Sequence, residues 1–517
     1  MKVLSKGVRW KAALFLTFFV LRITLIPNHL DVSNWFSHDS AYLVEAANNF
    51  LMGQGLVNHA HWLLLTPTET LPVPLRFSNP LYPVSMAAWH WLTGLPLTWV
   101  GAMLSLASWM AIGCYSYRIG KHWTGSEAGA LLVAAGACLL PPVLESSLHI
   151  LPDMMCAAMA MAGLDLLLPH RKEQSNWLHY AGAGLCFGLA WQVRASVMML
   201  LPAVGLLLVL NKQKTGAAVF LLAMTLTCAP WLLRNRQVTG ELFPKENTMA
   251  MMQDYWAMKY GIQADQFWRS QKPYEGLVTA FLQSPVEITR FYLRGMVLEA
   301  RMLAGALTNW NNWQLLLLLP GLLWSIYKLG KRYWREPLFW VPGVAAVTLY
   351  GALAMKGGSV EGRYFLAVWI ELGAILGWGC HEALRQRHRW ELALFAGAAM
   401  VILIQTAQVQ VQARRVRPEL VGIRDDAQRI ASLDPEQGPV THYLPYFYTY
   451  YTNRPAISPL YAKAQQSRDF QKRRGSHLLV LPKGDEQRYF EDADREWKNE
   501  FMEFEISSRV WVGKLKH

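Results

Sequence analysis

Apolar residues are gathered in long blocks along this chain, not in the short alternations of a soluble sheet. The blocks fall near 12–27, 98–117, 127–144, 153–168, 178–192, 197–210, 216–233, 313–328, 338–354, 364–381 and 391–409. Roughly 17–25 apolar residues cross a bilayer, so the pattern predicts about eleven spanning helices. The predicted fold class is therefore an all-α polytopic membrane protein. Two polar stretches, 28–97 and 234–312, are too long to be simple turns. Within the first, Asp39–Leu51 and Leu81–Leu92 carry the spacing of amphipathic helices. The second of these, LYPVSMAAWHWL, is rich in aromatic residues and is expected to lie along the membrane interface. Past about residue 410 the pattern changes: charge rises, and strand-like runs such as HLLVLP and SRVWVGKL alternate with helical stretches. The expected organisation is a membrane module over 1–409 followed by a small extracytoplasmic α/β domain over 410–517.

Charge adds an orientation. Basic residues crowd alternate short connections: Arg118 and Lys121; Arg171 and Lys172; Lys212 and Lys214; Lys328, Lys331, Arg332 and Arg335; Arg385, Arg387 and Arg389. Lys2, Lys6, Arg9 and Lys11 precede the first run, whereas the opposite short connections hold only Arg194, Lys356 and Arg363. By the positive-inside rule the N-terminus is cytoplasmic. An odd number of spans then puts both long loops and the C-terminal domain outside. No small-x-small cleavage site follows the first run, which reads as an uncleaved span and not a signal peptide.

Composition excludes several classes. The 517 residues are 53% hydrophobic and 16% charged, too apolar for a disordered chain. A mean hydropathy of only +0.14 requires sizeable polar segments beside the spans. The chain has 23 Trp, 20 Tyr and 20 Phe, and membrane interfaces are where such rings accumulate. The net charge of +13 would also suit nucleic acid, but its placement between apolar runs fits the membrane better, and no nucleic-acid partner is expected. Cys114, Cys138, Cys156, Cys186, Cys228 and Cys380 stand singly in apolar runs and read as small buried hydrophobes. No internal repeat is evident.

The candidate chemistry sits at the outer ends of the runs. On a helix, Asp39, Tyr42, Ala46 and Asn49 share a face, and Glu45 falls about 120° away from Asp39. Asp39 is also a good helix cap. Asn79-Pro80-Leu81-Tyr82-Pro83 makes a rigid lead into a helix after Arg76, a cation able to snorkel. Pro152-Asp153 opens the fourth run, as a helix start or as a functional acid. His149 stands four residues after Glu145 and is a structural or a site histidine. Arg194, between two short apolar runs, is a site residue or a snorkelling side chain. Arg234 ends the seventh run, and Arg363-Tyr364 opens the tenth behind Gly357-Gly358.

Taken in order, these segments resemble the GT-C superfamily of membrane glycosyltransferases, nearest to protein mannosyltransferase-like and lipid A aminoarabinose transferase-like proteins. The pieces that carry the resemblance are Asp39-Ser40-Ala41-Tyr42, Asn79-Pro80-Leu81-Tyr82-Pro83, Pro152-Asp153, Arg194, Pro230-Trp231-Leu232-Leu233-Arg234-Asn235 and Arg363-Tyr364. The resemblance covers about 10–380. It implies a polyprenyl-phosphate sugar donor, an acceptor hydroxyl on a glycan, lipid or protein, and transfer on the outer face of a bacterial inner membrane, with inversion. Asp39 would be the base, and Asp153 would orient the acceptor or hold a divalent metal; no cofactor is otherwise implied. Arg363 with Tyr364, then Arg194, Arg76 and Arg234, would hold the donor phosphate, because arginine offers a permanent, forked charge. Tyr42, Asn79, Tyr82 and His149 would line the acceptor cavity. The rival readings are a transporter or flippase for a lipid-linked glycan and a non-catalytic receptor. Transporters more often carry paired repeats and midplane acids.

Overall fold

The computed structural model describes residues 30–33, 36–61, 71–75, 78–168, 177–243, 245–267, 270, 274–308, 314–334, 337–354, 362–386, scattered positions in 396–411, and 417–433, 438–461, 464–483, 489, 501–505 and 508–515. The expected first and last spans, 12–27 and 391–409, lie outside these residues or nearly so.

After a one-turn 3-10 helix at Leu30–Val32, α1 runs over His38–Leu51 and α2 over Leu81–Thr93. Both match the amphipathic stretches read from the sequence. Ser37 caps α1 through a reciprocal capping box with Ser40, so Asp39 is not the cap and its carboxylate is available elsewhere. Gly94, at φ 69°, ends α2 in the left-handed conformation that a side chain would strain. Trp89, Trp91 and Leu92 project from the end of α2, as an interfacial helix requires.

The bundle follows: α3 (Leu97–Thr124), α4 (Glu127–Leu139), α5 (Pro141–Ser146), α6 (Asp153–Leu167), α7 (Trp177–Val193), α8 (Leu201–Leu210) and α9 (Lys214–Thr239). After the second long loop come α14 (Gln314–Tyr333), α15 (Pro337–Leu353) and α16 (Leu366–Gln386). Two expected spans are broken. The run at 127–144 divides into α4 and α5 at Pro141-Pro142, and that at 197–210 begins as a 3-10 turn before Pro202. Among the described residues, α3 and α9 are long and apolar enough to cross a membrane. The other expected spans that fall among the described residues are shorter, less apolar or interrupted helices.

Small residues set the helix spacing. α4 and α16 cross so closely that a Cβ added at Gly136 would lie 2.1 Å from the carbonyl oxygen of Gly373. α7 meets α9 the same way at Gly184, against the Phe220 carbonyl. Small-residue crossings of this kind are typical of helices packed in lipid, where close backbone contact replaces a hydrophobic driving force. The outward face of α9 carries exposed Leu221, Leu222, Leu226 and Leu233.

The stretch 234–312, read as loop, is largely helical: α10 (Lys245–Tyr260), α11 (Ala264–Phe267), α12 (Leu277–Gln283) and α13 (Pro285–Thr308). Part of it has its own small core, with Tyr255, Trp256, Phe267, Ile288 and Phe291.

The C-terminal region holds α17 (Pro418–Leu433), α18 (Pro445–Thr452), α19 (Ala464–Arg473) and a six-stranded mixed sheet. Two short strands of the connection between α1 and α2, β1 (Val57–Asn58) and β3 (Val73–Pro74), pair separately. In the main sheet β2 (Ala60–His61), β5 (Ala456–Ile457), β4 (Val440–His442) and β6 (Leu478–Pro482) are parallel in that spatial order. β8 (Val510–Leu515) and β7 (Phe501–Glu505) continue it antiparallel. β6 is apolar throughout because both its faces are covered: Leu478 and Val480 enter one core, Leu479 and Leu481 the other. The edge strand β2 belongs to the long connection between α1 and α2, so the sheet joins segments far apart in sequence.

Candidate active site

Four of the sequence-selected residues meet as two ion pairs where α1, α6, the end of α7 and the start of α16 converge. Asp39, in the first turn of α1, accepts a hydrogen bond from Arg363 Nη2 at 2.7 Å. Asp153, the first residue of α6, pairs with Arg194 Nη1 at 2.5 Å. Asp153, Arg194 and Arg363 line one cavity of about 40 Å³, together with Ser196 and apolar residues of α6, α15 and α16. The placements follow from local structure. Arg194 is the extended residue between α7 and the 3-10 turn Ala195–Leu200, and Arg363 lies in the 3-10 turn Gly362–Phe365 ahead of α16. Chain breaks at helix ends let long cationic side chains turn inward.

The two pairs differ in exposure. The Asp153 side chain is 6% exposed and that of Arg194 19%, whereas Asp39 is 48% exposed against 16% for Arg363. The second carboxylate oxygen of Asp153 is buried without a hydrogen-bond partner. Burial pushes the Asp39 carboxyl up, but the charge and hydrogen bond of Arg363, with His38 and Arg194, outweigh it and hold the group below the usual carboxylate range. Asp39 is therefore an ionised acceptor of protons at neutral pH. Burial, reinforced by Arg363, lowers the pKa of His149 to about 4, leaving a neutral ring near the guanidinium.

A larger cavity of about 670 Å³ opens beside this cluster. Its walls are almost wholly apolar, from Leu318, Leu322, Val347, Trp369 and Leu372, with Tyr292 and Tyr350. Phe365, two residues from Arg363, is part of that wall.

The C-terminal region grips α1 from outside. Tyr446 of α18 lies 4.7 Å from the His38 ring and 4.9 Å from Tyr42, and Phe36 contacts Tyr450 at 4.8 Å. Tyr451 Oη donates to the carbonyl of Asp31, and the Arg417 amide to that of Val32. Burial lowers the His38 pKa to about 4, against the opposing pull of Asp39. Further along α1, Glu45 accepts the backbone N–H groups of His59 and Ala60, which lead into and form β2. Burial raises the Glu45 pKa to about 8, so its buried carboxyl is protonated at neutral pH.

The remaining selected residues lie elsewhere. Asn79 Nδ2 donates to the carbonyl of Trp191, tying the segment ahead of α2 to the end of α7. Tyr82 is buried and donates to the Gly101 carbonyl. Arg234 Nη1 donates to the Leu75 carbonyl at 2.6 Å while its guanidinium lies over Trp231. α5 ends at Ser146, so Glu145 and His149 do not share a helix face. Tyr364 is placed by its backbone alone, and Arg76 lies outside the described residues. Among the described residues no three His, Cys, Asp or Glu side chains could hold a metal, and Asp153 faces a cation instead. Sequence reasoning missed His38, Glu45 with His59, and Tyr446. The aromatic run PYFYTYYT inside a polar tail was the available signal for the last.

No family model matches the sequence, and no curated protein sequence matches it. Solved structures do. ArnT from Cupriavidus metallidurans bound to undecaprenyl phosphate superposes with a TM-score of 0.57 at 14% identity, covering 99% of this chain and 98% of that one. Its apo state gives 0.57 at 13%, covering 97% and 98%. The Archaeoglobus fulgidus oligosaccharyltransferase in complex with Zn and sulfate gives 0.59 at 10%, covering 97% of this chain and 73% of that one. Over nearly its whole length, this chain has the fold of the GT-C membrane glycosyltransferases.

Proposed function

We propose that the protein is an integral membrane glycosyltransferase that moves a sugar from a polyprenyl-phosphate donor to an acceptor hydroxyl on the outer face, with inversion. The observation that carries this reading is the Asp39–Arg363 pair at 2.7 Å beside an apolar cavity of about 670 Å³. A lipid-phosphate sugar needs a greasy slot for its chain, a cation at its phosphate and a base near its sugar. The cavity, Arg363 and Asp39 supply these in that order. The exposed apolar face of α9 and the close glycine crossings support a membrane setting, with the basic connections cytoplasmic and the C-terminal domain outside.

The mechanism is acid–base and electrostatic. Asp39 takes the proton of the acceptor hydroxyl as that oxygen attacks the anomeric carbon, a contribution of about 10²–10⁴ in rate. The leaving group is already an acidic phosphate, so charge stabilisation matters more than protonation. Arg363, with Arg194 behind it, provides this through fixed N–H donors in a partly desolvated site. Asp153 holds Arg194 in place.

The test is to incubate the purified protein with undecaprenyl-phosphate sugars and a lipid extract, and to follow released undecaprenyl phosphate and glycosylated product. Wild type should release both. Asp39→Asn should lose about 10²–10⁴ of the rate while still folded and donor-binding. A transporter of lipid-linked glycans would bind a donor without releasing the phosphate, and full activity of Asp39→Asn would remove Asp39 as the base.

A further inference from the structure

The same guanidinium is wanted by two anions. Arg363 is held by Asp39, yet it lies two residues from Phe365 in the wall of the apolar cavity, where the phosphate of a bound lipid donor would arrive. Carboxylate and phosphate recognise the same fork of N–H groups, so one displaces the other at that face. The other pair offers no such exchange, because Asp153 is 6% exposed and locked on Arg194. Asp39, with a side chain 48% exposed in the first turn of α1, has open space beside it when it lets go.

Building on the transferase reading, we propose that Asp39 also competes with the lipid phosphate for Arg363, so that donor binding frees the base and the re-ionised base evicts the product. The cycle balances without any further reactant. The donor phosphodiester takes Arg363, and Asp39 is released as a free carboxylate. The acceptor oxygen bonds to the anomeric carbon and its proton passes to Asp39. The bond from the anomeric carbon to the phosphate oxygen breaks, and its electron pair stays on that oxygen. The products are the glycosylated acceptor, a neutral Asp39 and a phosphate monoester dianion. The neutral carboxyl of Asp39 then gives its proton to the phosphate dianion, whose second pKa is about 6, as Arg363 comes back within reach of the carboxylate. That transfer removes one charge from the lipid phosphate and restores one to Asp39. Both changes favour the return of Arg363 to Asp39, and the lipid phosphate leaves.

A double-mutant cycle on binding of undecaprenyl phosphate tests this, using full-length protein in nanodiscs: wild type, Asp39→Asn, Arg363→Gln and the double variant. The exchange predicts that Asp39→Asn binds the lipid phosphate about fivefold more tightly, since the ligand no longer displaces a carboxylate. In the Arg363→Gln background the gain should vanish. A gain that persists there would mean simple repulsion between Asp39 and phosphate, and would overturn the exchange, as would unchanged or weaker binding by Asp39→Asn. If Arg363→Gln does not fold, Arg363→Lys serves instead: it keeps the charge without the fork, and a full gain in that background counts against the proposal. Absence of lipid-phosphate binding by wild type and every folded variant would instead bring down the transferase reading along with the exchange.

Discussion

The two arginine–carboxylate pairs use the same chemistry in opposite surroundings. Asp153 starts α6 in the middle of the bundle, where α6 packs against α3 and α7, and its partner Arg194 fills the break after α7. Asp39 lies in the first turn of α1, where that helix meets α18 of the C-terminal region, and its partner comes from the turn ahead of α16. A buried charge stripped of its partner is costly, whereas a half-exposed pair holds together weakly and can change partners. The enclosed pair is thus the costlier one to break, and the open pair is the freer to exchange.

The most direct way to break that comparison is to remove each acid in turn and measure thermal stability. Asp153→Ala strands Arg194 and should cost about 3–5 kcal/mol, a clear fall in Tm. Asp39→Ala should change stability by about 1 kcal/mol or less. Equal Tm shifts would show that exposure does not separate the pairs.

A second measurement sharpens the open side. The carboxyl of Glu45, which anchors β2 to α1, is raised from its ordinary 4.5 to about 8 in the folded protein. Its contribution is therefore fully present below the unfolded value and is lost as pH rises through the folded one. Between about pH 4.5 and 8 wild type should lose stability relative to Glu45→Gln, which mimics the neutral acid, by up to about 5 kcal/mol. A Tm difference independent of pH would show that the buried group does not titrate in that window.

The smallest effect is expected at Tyr446, which packs on His38 and Tyr42 beside Asp39. Tyr446→Ala should lower kcat about fivefold, the worth of one aromatic pair, with undecaprenyl-phosphate affinity unchanged. A change in lipid affinity with kcat intact would mean that the ring serves the donor side instead.

Much of the bundle was legible because apolar blocks and helices coincide from α3 to α9 and again from α14 to α16. Proline broke two of those blocks, and block length alone conceals such breaks. The helices α10 to α13 were hidden by mixed composition over 234–312, where the apolar face is narrow and covers only a small core. In the C-terminal region, β6 announced itself because a strand covered on both faces has no polar positions. β2 did not, being a two-residue edge strand whose partner lies at the far end of the chain.

At the site, Asp39, Asp153, Arg194 and Arg363 could be selected as charges at the ends of apolar runs. Their pairing could not, since Asp39 and Arg363 are 324 positions apart and nothing local links them. The angular argument did separate Glu45 from Asp39, and Glu45 turns to β2 as that separation allows. Asn79, Tyr82 and Arg234 looked alike in sequence but end on backbone carbonyls, as polar groups at buried loop joints must.

The pairing of Ala60 in β2 with Ala456 in β5 also sets an order of assembly. About 400 residues separate these partners, and at about 5–20 residues per second a ribosome needs about 20–80 seconds to make them. During that interval the segment behind α1 exists without the sheet that later borders it. The helix bearing Asp39 gains its contacts with α18 only after α3 to α16 have been made. A nascent chain stalled before α18 would therefore hold most of its bundle and an α1 still lacking the aromatic contacts around His38 and Tyr42.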